Sequence, residues 1–232
     1  MRLTIANWRP AWPKPWRRKL KPFGLCFHTS GRTIVERAVK KGVPPIELAL
    51  KHYRRTGAAH FVVDHDGTIY QLLDTEIRGA HIGLGAWRGR YLNGSWRKHM
   101  KLKGLHAPLA MWDKRWPGLK SPQHMFPGKT PNGAYLGAEF LPLLEPQADG
   151  TWFSDAQYAA GRGLLDALFP EAFEDFSLNG LAMACTTPAT TGRARAPGHE
   201  DLTPHSRWKR RGGWDPGALR AFPRWNWAKV LG

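Results

Sequence analysis

Hydrophobic positions along this chain switch between period two and period 3.6, and each switch marks an element. Residues 24–30, GLCFHTS, are a short apolar run entered through a glycine and predict a buried strand. In VPPIELALKHYRRTG, residues 43–57, Pro45 stands at a helix-starting position. Ile46, Leu48, Ala49, Leu50 and Tyr53 supply the apolar residues, and Gly57 is the stop. Residues 59–74, AHFVVDHDGTIYQLLD, are two β-rich arms about Asp66-Gly67 and predict a hairpin. YLGAEFLPL, 135–143, is a further strand candidate. SDAQYAAGRGLLDALF, 154–169, opens on the capping pair Ser154 and Gln157 before helical spacing sets in. This order predicts an α/β fold: a single mixed β-sheet flanked by helices.

Two stretches break the pattern. Residues 1–22 form a Trp/Pro-rich arm with seven Lys/Arg and no acid; Trp8, Trp12 and Trp16 are separated by prolines, so an extended strap across the domain is expected. Residues 86–132 carry ten Lys/Arg against Asp113 alone, with Trp87, Trp96, Trp112 and Trp116 among them. This is a long insertion in the domain at 23–232, and such loops are usually functional. Its tryptophans either pack the loop on itself or line a groove for glycan or stem peptide.

The two stretches account for nearly all of the formal net charge of +17. Such a chain is drawn to polyanions: nucleic acid, anionic lipid or the bacterial envelope. Hydrophobic residues at 42% permit a sizeable core, and one domain is expected from 232 residues. No apolar run reaches the roughly 18 residues of a membrane span. The basic N-terminus has no apolar h-region, so synthesis in the cytoplasm without a secretory signal is expected. Cys26 and Cys185 are too few for a disulfide framework.

Candidate chemistry concentrates at His28, which ends the first strand, and in GHEDLTPHSRWKRRGGWDPG, residues 198–217. His199 and Asp215 bracket a run containing Lys209, Arg210 and Arg211. None of these pairs has the i, i+4 spacing of a local zinc motif, so spacing alone also admits ordinary histidines, a capping aspartate and a solvated basic run. Glu139 reads equally as an exposed strand carboxylate. Cys26, two residues before His28, either crowds a metal there or serves as a small buried hydrophobe.

Order along the chain adds what spacing does not. FHTSG, AHFVVDHDGTIYQLLD, GAHIG, YLGAEF and GHED…P…WDPG follow one another as in the zinc-dependent type-2 N-acetylmuramoyl-L-alanine amidases. These are relatives of peptidoglycan recognition proteins and of phage lysozyme-type amidases. The chain resembles that family over roughly residues 23–228, the insertion apart. The resemblance implies a zinc site in a surface groove, with His28, His199 and Asp215 as ligands and Zn2+ as cofactor. It implies Glu139 as the catalytic carboxylate, His60 as structural and His81 near the substrate groove. Ala59 stands where relatives that lack the glutamate carry a tyrosine, which agrees with a Glu-dependent site. One departure is Gly213, where the recycling branch has a lysine; Lys209 is the first choice for the displaced cation that stabilises an oxyanion, with Arg211 and Arg210 behind it. Trp87 and Arg211 are candidate substrate contacts.

The expected activity is hydrolysis of the amide between N-acetylmuramic acid and L-alanine in bacterial peptidoglycan. The charge favours a wall-lytic enzyme of phage endolysin type, released by a holin or otherwise, attracted to the anionic envelope and monomeric. The alternatives are a cytoplasmic muropeptide-recycling amidase, a non-catalytic peptidoglycan-binding protein, and a nucleic-acid binder that would leave the ordered motifs unexplained.

Overall fold

A computed structural model describes residues 3–4, 17, 21–22, 24–81, 131–170, 196, 198–199 and 225–232. The tryptophans of the arm, expected to form a strap, residues 86–130, Cys185 and the run from Lys209 to Asp215 lie outside them. The elements are β1 (Leu3–Thr4), β2 (Gly24–Thr29), α1 (Arg32–Lys41), α2 (Pro45–Thr56), β3 (Phe61–Val63), β4 (Ile69–Gln71), α3 (Pro131–Ala134), β5 (Tyr135–Phe140), α4 (Asp155–Leu168) and α5 (Ala228–Leu231).

The strands form one mixed sheet in the order β1-β4-β3-β5-β2. Only the β3–β4 pair is antiparallel. It is the predicted hairpin, turned through Gly67 at φ 82° with Asp66 accepting from the Thr68 amide and hydroxyl. The predicted helices form where their punctuation stands. Pro45 opens α2 and Gly57, at φ 60°, closes it. Ser154 and Gln157 exchange both hydrogen bonds of a capping box at α4. The strand at 135–143 stops at Phe140, two residues before Pro142, which has no N–H to give a ladder.

Strand parity sorts the sheet into two faces. Leu25, Phe27, Phe61, Val63, Leu136, Ala138 and Phe140 share a core with Tyr158, Leu164 and Leu165 of α4 and with Trp225, Val230 and Leu231. Gly161 lets α4 approach closely, because a Cβ there would come to 3.0 Å from the Phe27 ring. The alternate residues Cys26, His28, Gly137 and Glu139 are left for the opposite face. There α2 covers one end through Ala49, Leu50 and Tyr53, packed with Ala59, Val62, Leu72 and Leu141.

The C-terminus is clamped onto the start of α4. Lys229 Nζ lies 2.7 Å from Asp149 and 2.8 Å from Asp155. Hydrogen bonding to Lys229, then to Thr151, holds the Asp149 carboxyl well below the usual range. The same bonds, to Asp149 first and then Asp155, raise the Lys229 ammonium above its ordinary value. The carboxylate's contribution is therefore complete above the ordinary Asp pKa and fades as pH falls below it; the ammonium's fades only above the ordinary lysine range. All three groups are partly exposed, so Lys229→Met is expected to cost only about 0.5–1 kcal/mol near neutral pH. Thermal melts should show that difference shrinking progressively in acid.

Candidate active site

Pairing between β2 and β5 sets His28 opposite Glu139 and Cys26 opposite Gly137. Both side chains of the first pair are buried. His28 Nδ1 lies 3.9 Å from Glu139 Oε1, while Oε2 accepts a 2.9 Å hydrogen bond from the Tyr53 hydroxyl. Tyr53, on α2, thus fixes the carboxylate so that its other oxygen faces the imidazole. In the sequence Tyr53 reads only as part of the apolar face of a helix.

β2 is one of the sheet's two outer strands among the described residues, and Gly198 bridges Phe27 in parallel. The next residue on each segment is a histidine. The His28 and His199 rings meet at 4.7 Å between centroids, inclined 63°, and His199 is buried. Residues separated by 171 positions, His28 and His199, are thereby brought together with Glu139.

Two further histidines stand behind this pair. His60 is fully buried, and neither of its ring nitrogens is spare: Nδ1 accepts from the Gly137 amide at 2.9 Å, and Nε2–H donates to the Ile77 carbonyl at 2.9 Å. His81 is also buried, its Nδ1 3.0 Å from His28 Nε2 and its Nε2 3.0 Å from the Tyr135 carbonyl. Burial, then the neighbouring His28 and His60, hold its pKa well below the ordinary histidine value, outweighing the opposite pull of the Tyr135 carbonyl. His81 is therefore neutral near pH 7. The ring fits only because position 137 is glycine: a Cβ there would lie 2.7 Å from His81 Cγ.

Cys26, His28 and His81 present ligand atoms within 4.8 Å of one another and form a buried group that could hold a metal ion. His199 and Glu139 approach the same His28 imidazole, the first ring to ring at 4.7 Å between centroids and the second at 3.9 Å from Nδ1. Asp215, Lys209, Arg211 and Trp87 lie outside the described residues, so the expected third ligand, cation and aromatic contact are not located.

Buried imidazoles beside an oriented carboxylate are the equipment of an enzyme that activates water for hydrolysis. Residues 28–218 match the N-acetylmuramoyl-L-alanine amidase family, and the chain belongs to it. It is accordingly an enzyme of that class, an amidase acting on peptidoglycan. No curated protein sequence matches the chain. Among solved structures it is similar to N-acetylmuramoyl-L-alanine amidase LysC from Clostridium intestinale URNW, with 14% identity, TM-score 0.36, and 74% of this chain and 76% of that one covered. It is also similar to a selenomethionine derivative of AmpD, with 17% identity, TM-score 0.45 and coverages of 99% and 91%. No helix among the described residues is long and apolar enough to cross a membrane.

Proposed function

We propose that this amidase depends on zinc and cuts the amide between N-acetylmuramic acid and L-alanine in intact bacterial cell wall. The observation that carries the reading is the convergence of His28, His199 and Glu139 at one buried point of the sheet. Two imidazoles suit zinc as donors, and Asp215 would complete a three-ligand site with one position open, leaving Glu139 beside it as the acid–base group. Zinc bound there supplies Lewis acidity, which polarises a carbonyl and makes water a better acid near neutral pH.

The chain's own residues do the rest. Glu139, oriented by Tyr53, accepts a proton from the attacking water through the oxygen facing His28 and returns it to the alanine nitrogen as the amide breaks. Lys209, with Arg211 and Arg210 beside it in sequence, supplies a cation for the oxyanion. Trp87 and its basic insertion contact the glycan or stem peptide.

The wall-directed reading rests on charge. A net +17 favours an extended anionic substrate and gives no evident advantage on a small soluble muropeptide. On this reading the protein meets the wall after release from the cytoplasm, as a phage-type lysin does. Chelation is expected to abolish hydrolysis, and added zinc to restore it. Digestion of purified sacculi should outpace that of soluble muropeptides and weaken steeply with added salt. A preference for soluble muropeptides, independent of salt, would point to recycling instead. Retained activity after complete metal removal would end the zinc reading.

A further inference from the structure

Resting on that reading of His28 as a metal ligand, we infer that His81 is a positioning residue which decides the nitrogen His28 offers to the metal. The ring hydrogens of the two histidines follow from their partners. The Tyr135 carbonyl can only accept, so His81 Nε2, 3.0 Å away, must carry hydrogen. With its ring hydrogen on Nε2, the His81 imidazole keeps its lone pair on Nδ1. A bare nitrogen 3.0 Å from His28 Nε2 requires the hydrogen there, because two facing lone pairs would repel. His28 is left with one lone pair, on Nδ1, the atom that faces Glu139 at 3.9 Å.

The relay therefore runs from a backbone carbonyl, through His81, to the side of His28 away from Glu139. Its anchor is secured by the sheet. On β5, Gly137 directs its amide and carbonyl to His60, and Tyr135, two residues earlier, presents its carbonyl to the same side. Pairing with β3 begins only at Phe61 opposite Ala138, so His81 meets that carbonyl beyond the paired stretch. Outer partners of this kind fix ring orientation and raise ligand basicity.

The relay places the metal on Nδ1 of His28, the nitrogen that faces Glu139, and not in the inner pocket of Cys26, His28 and His81. In that inner pocket, Nε2 of His28 and Nδ1 of His81 would both be ligands. The two placements make different predictions for three variants of the full chain.

In His81→Asn the amide oxygen stands where Nδ1 was and still accepts from His28. In His81→Gln the amide takes the place of Nε2 and contacts Tyr135, leaving His28 without its acceptor. Zinc affinity, measured by competition with a chromophoric chelator, is expected to fall about 10–100-fold in His81→Gln. It should stay within about threefold of the parent in His81→Asn. Cys26→Ser should bind zinc as the parent does, and the cobalt-loaded protein should show no thiolate charge-transfer band. Nitrogen-15 spectra of the metal-free parent should show His28 protonated at Nε2, a reading that needs neither metal nor activity.

Unchanged affinity in folded His81→Gln would overturn the inference, as would His28 protonated at Nδ1. Loss of affinity in Cys26→Ser, or a thiolate band with cobalt, would move the metal to the inner pocket and also overturn it. Failure of the parent to bind zinc would sink the proposed function instead, while the tautomer measurement would still decide the relay.

Discussion

Glu139→Gln is expected to lower kcat roughly 10²–10⁴-fold, the usual contribution of a positioned acid–base group. The change is nearly isosteric. One amide oxygen can still accept the Tyr53 hydroxyl, so the β5 backbone and α2 packing have no reason to move. What disappears is the oxygen 3.9 Å from His28 Nδ1 that is able to take a proton. KM and zinc affinity should hold close to the parent values, and the melting temperature should shift by a few degrees at most. A variant that turns over at parental rate would show that proton transfer runs through another group.

The second large effect is on stability. Trp225 lies 4.6–4.8 Å, between ring centroids, from Tyr158, Phe153 and Phe140, and 5.6 Å from Phe27. It is buried between α4 and the sheet, where it ties the C-terminal segment to the strand that carries His28. Trp225→Ala is expected to cost roughly 3–5 kcal/mol by loss of transfer energy and the cavity left behind. For a chain of this size that is a fall of about 10 °C or more in Tm by circular dichroism. Trp225→Phe should lose much less. The indole nitrogen has no hydrogen-bond partner among the described residues, so the site draws on the ring's volume more than on its polarity. Equal losses in the two variants would contradict this account of the core.

The contrast between what the sequence discloses and what it hides follows from the range of each signal. Pro45, Gly57, Asp66-Gly67 and the Ser154–Gln157 pair act within a few residues, and the elements they punctuate are legible. Helix α1 is not: Gly31 precedes it at φ 72° without a side-chain cap, and its two buried positions, Val35 and Ala38, lie among five charged residues. Its stability comes from α2, with which Ile34 shares a core. Within the site, motif order points to His28, His199 and Glu139. It could not disclose that Tyr53 reaches Glu139 across 86 positions, nor that His81 faces His28, because both contacts arise only when β5 settles between β2 and β3. Cys26 shows the same limit. Parity places it on the site face, but only the folded sheet brings it within reach of both imidazoles.

The account's central claim is that His28, His199 and Glu139 form the hydrolytic centre of a peptidoglycan amidase. The most direct measurement is mass spectrometry of purified peptidoglycan incubated with the zinc-loaded protein, with the chelated protein and with Glu139→Gln. The account predicts free stem peptides beginning at L-alanine, released by the first and absent with the other two. Sacculi that retain the zinc-loaded protein yet yield no stem peptides would contradict it and leave a binding module in place of an enzyme.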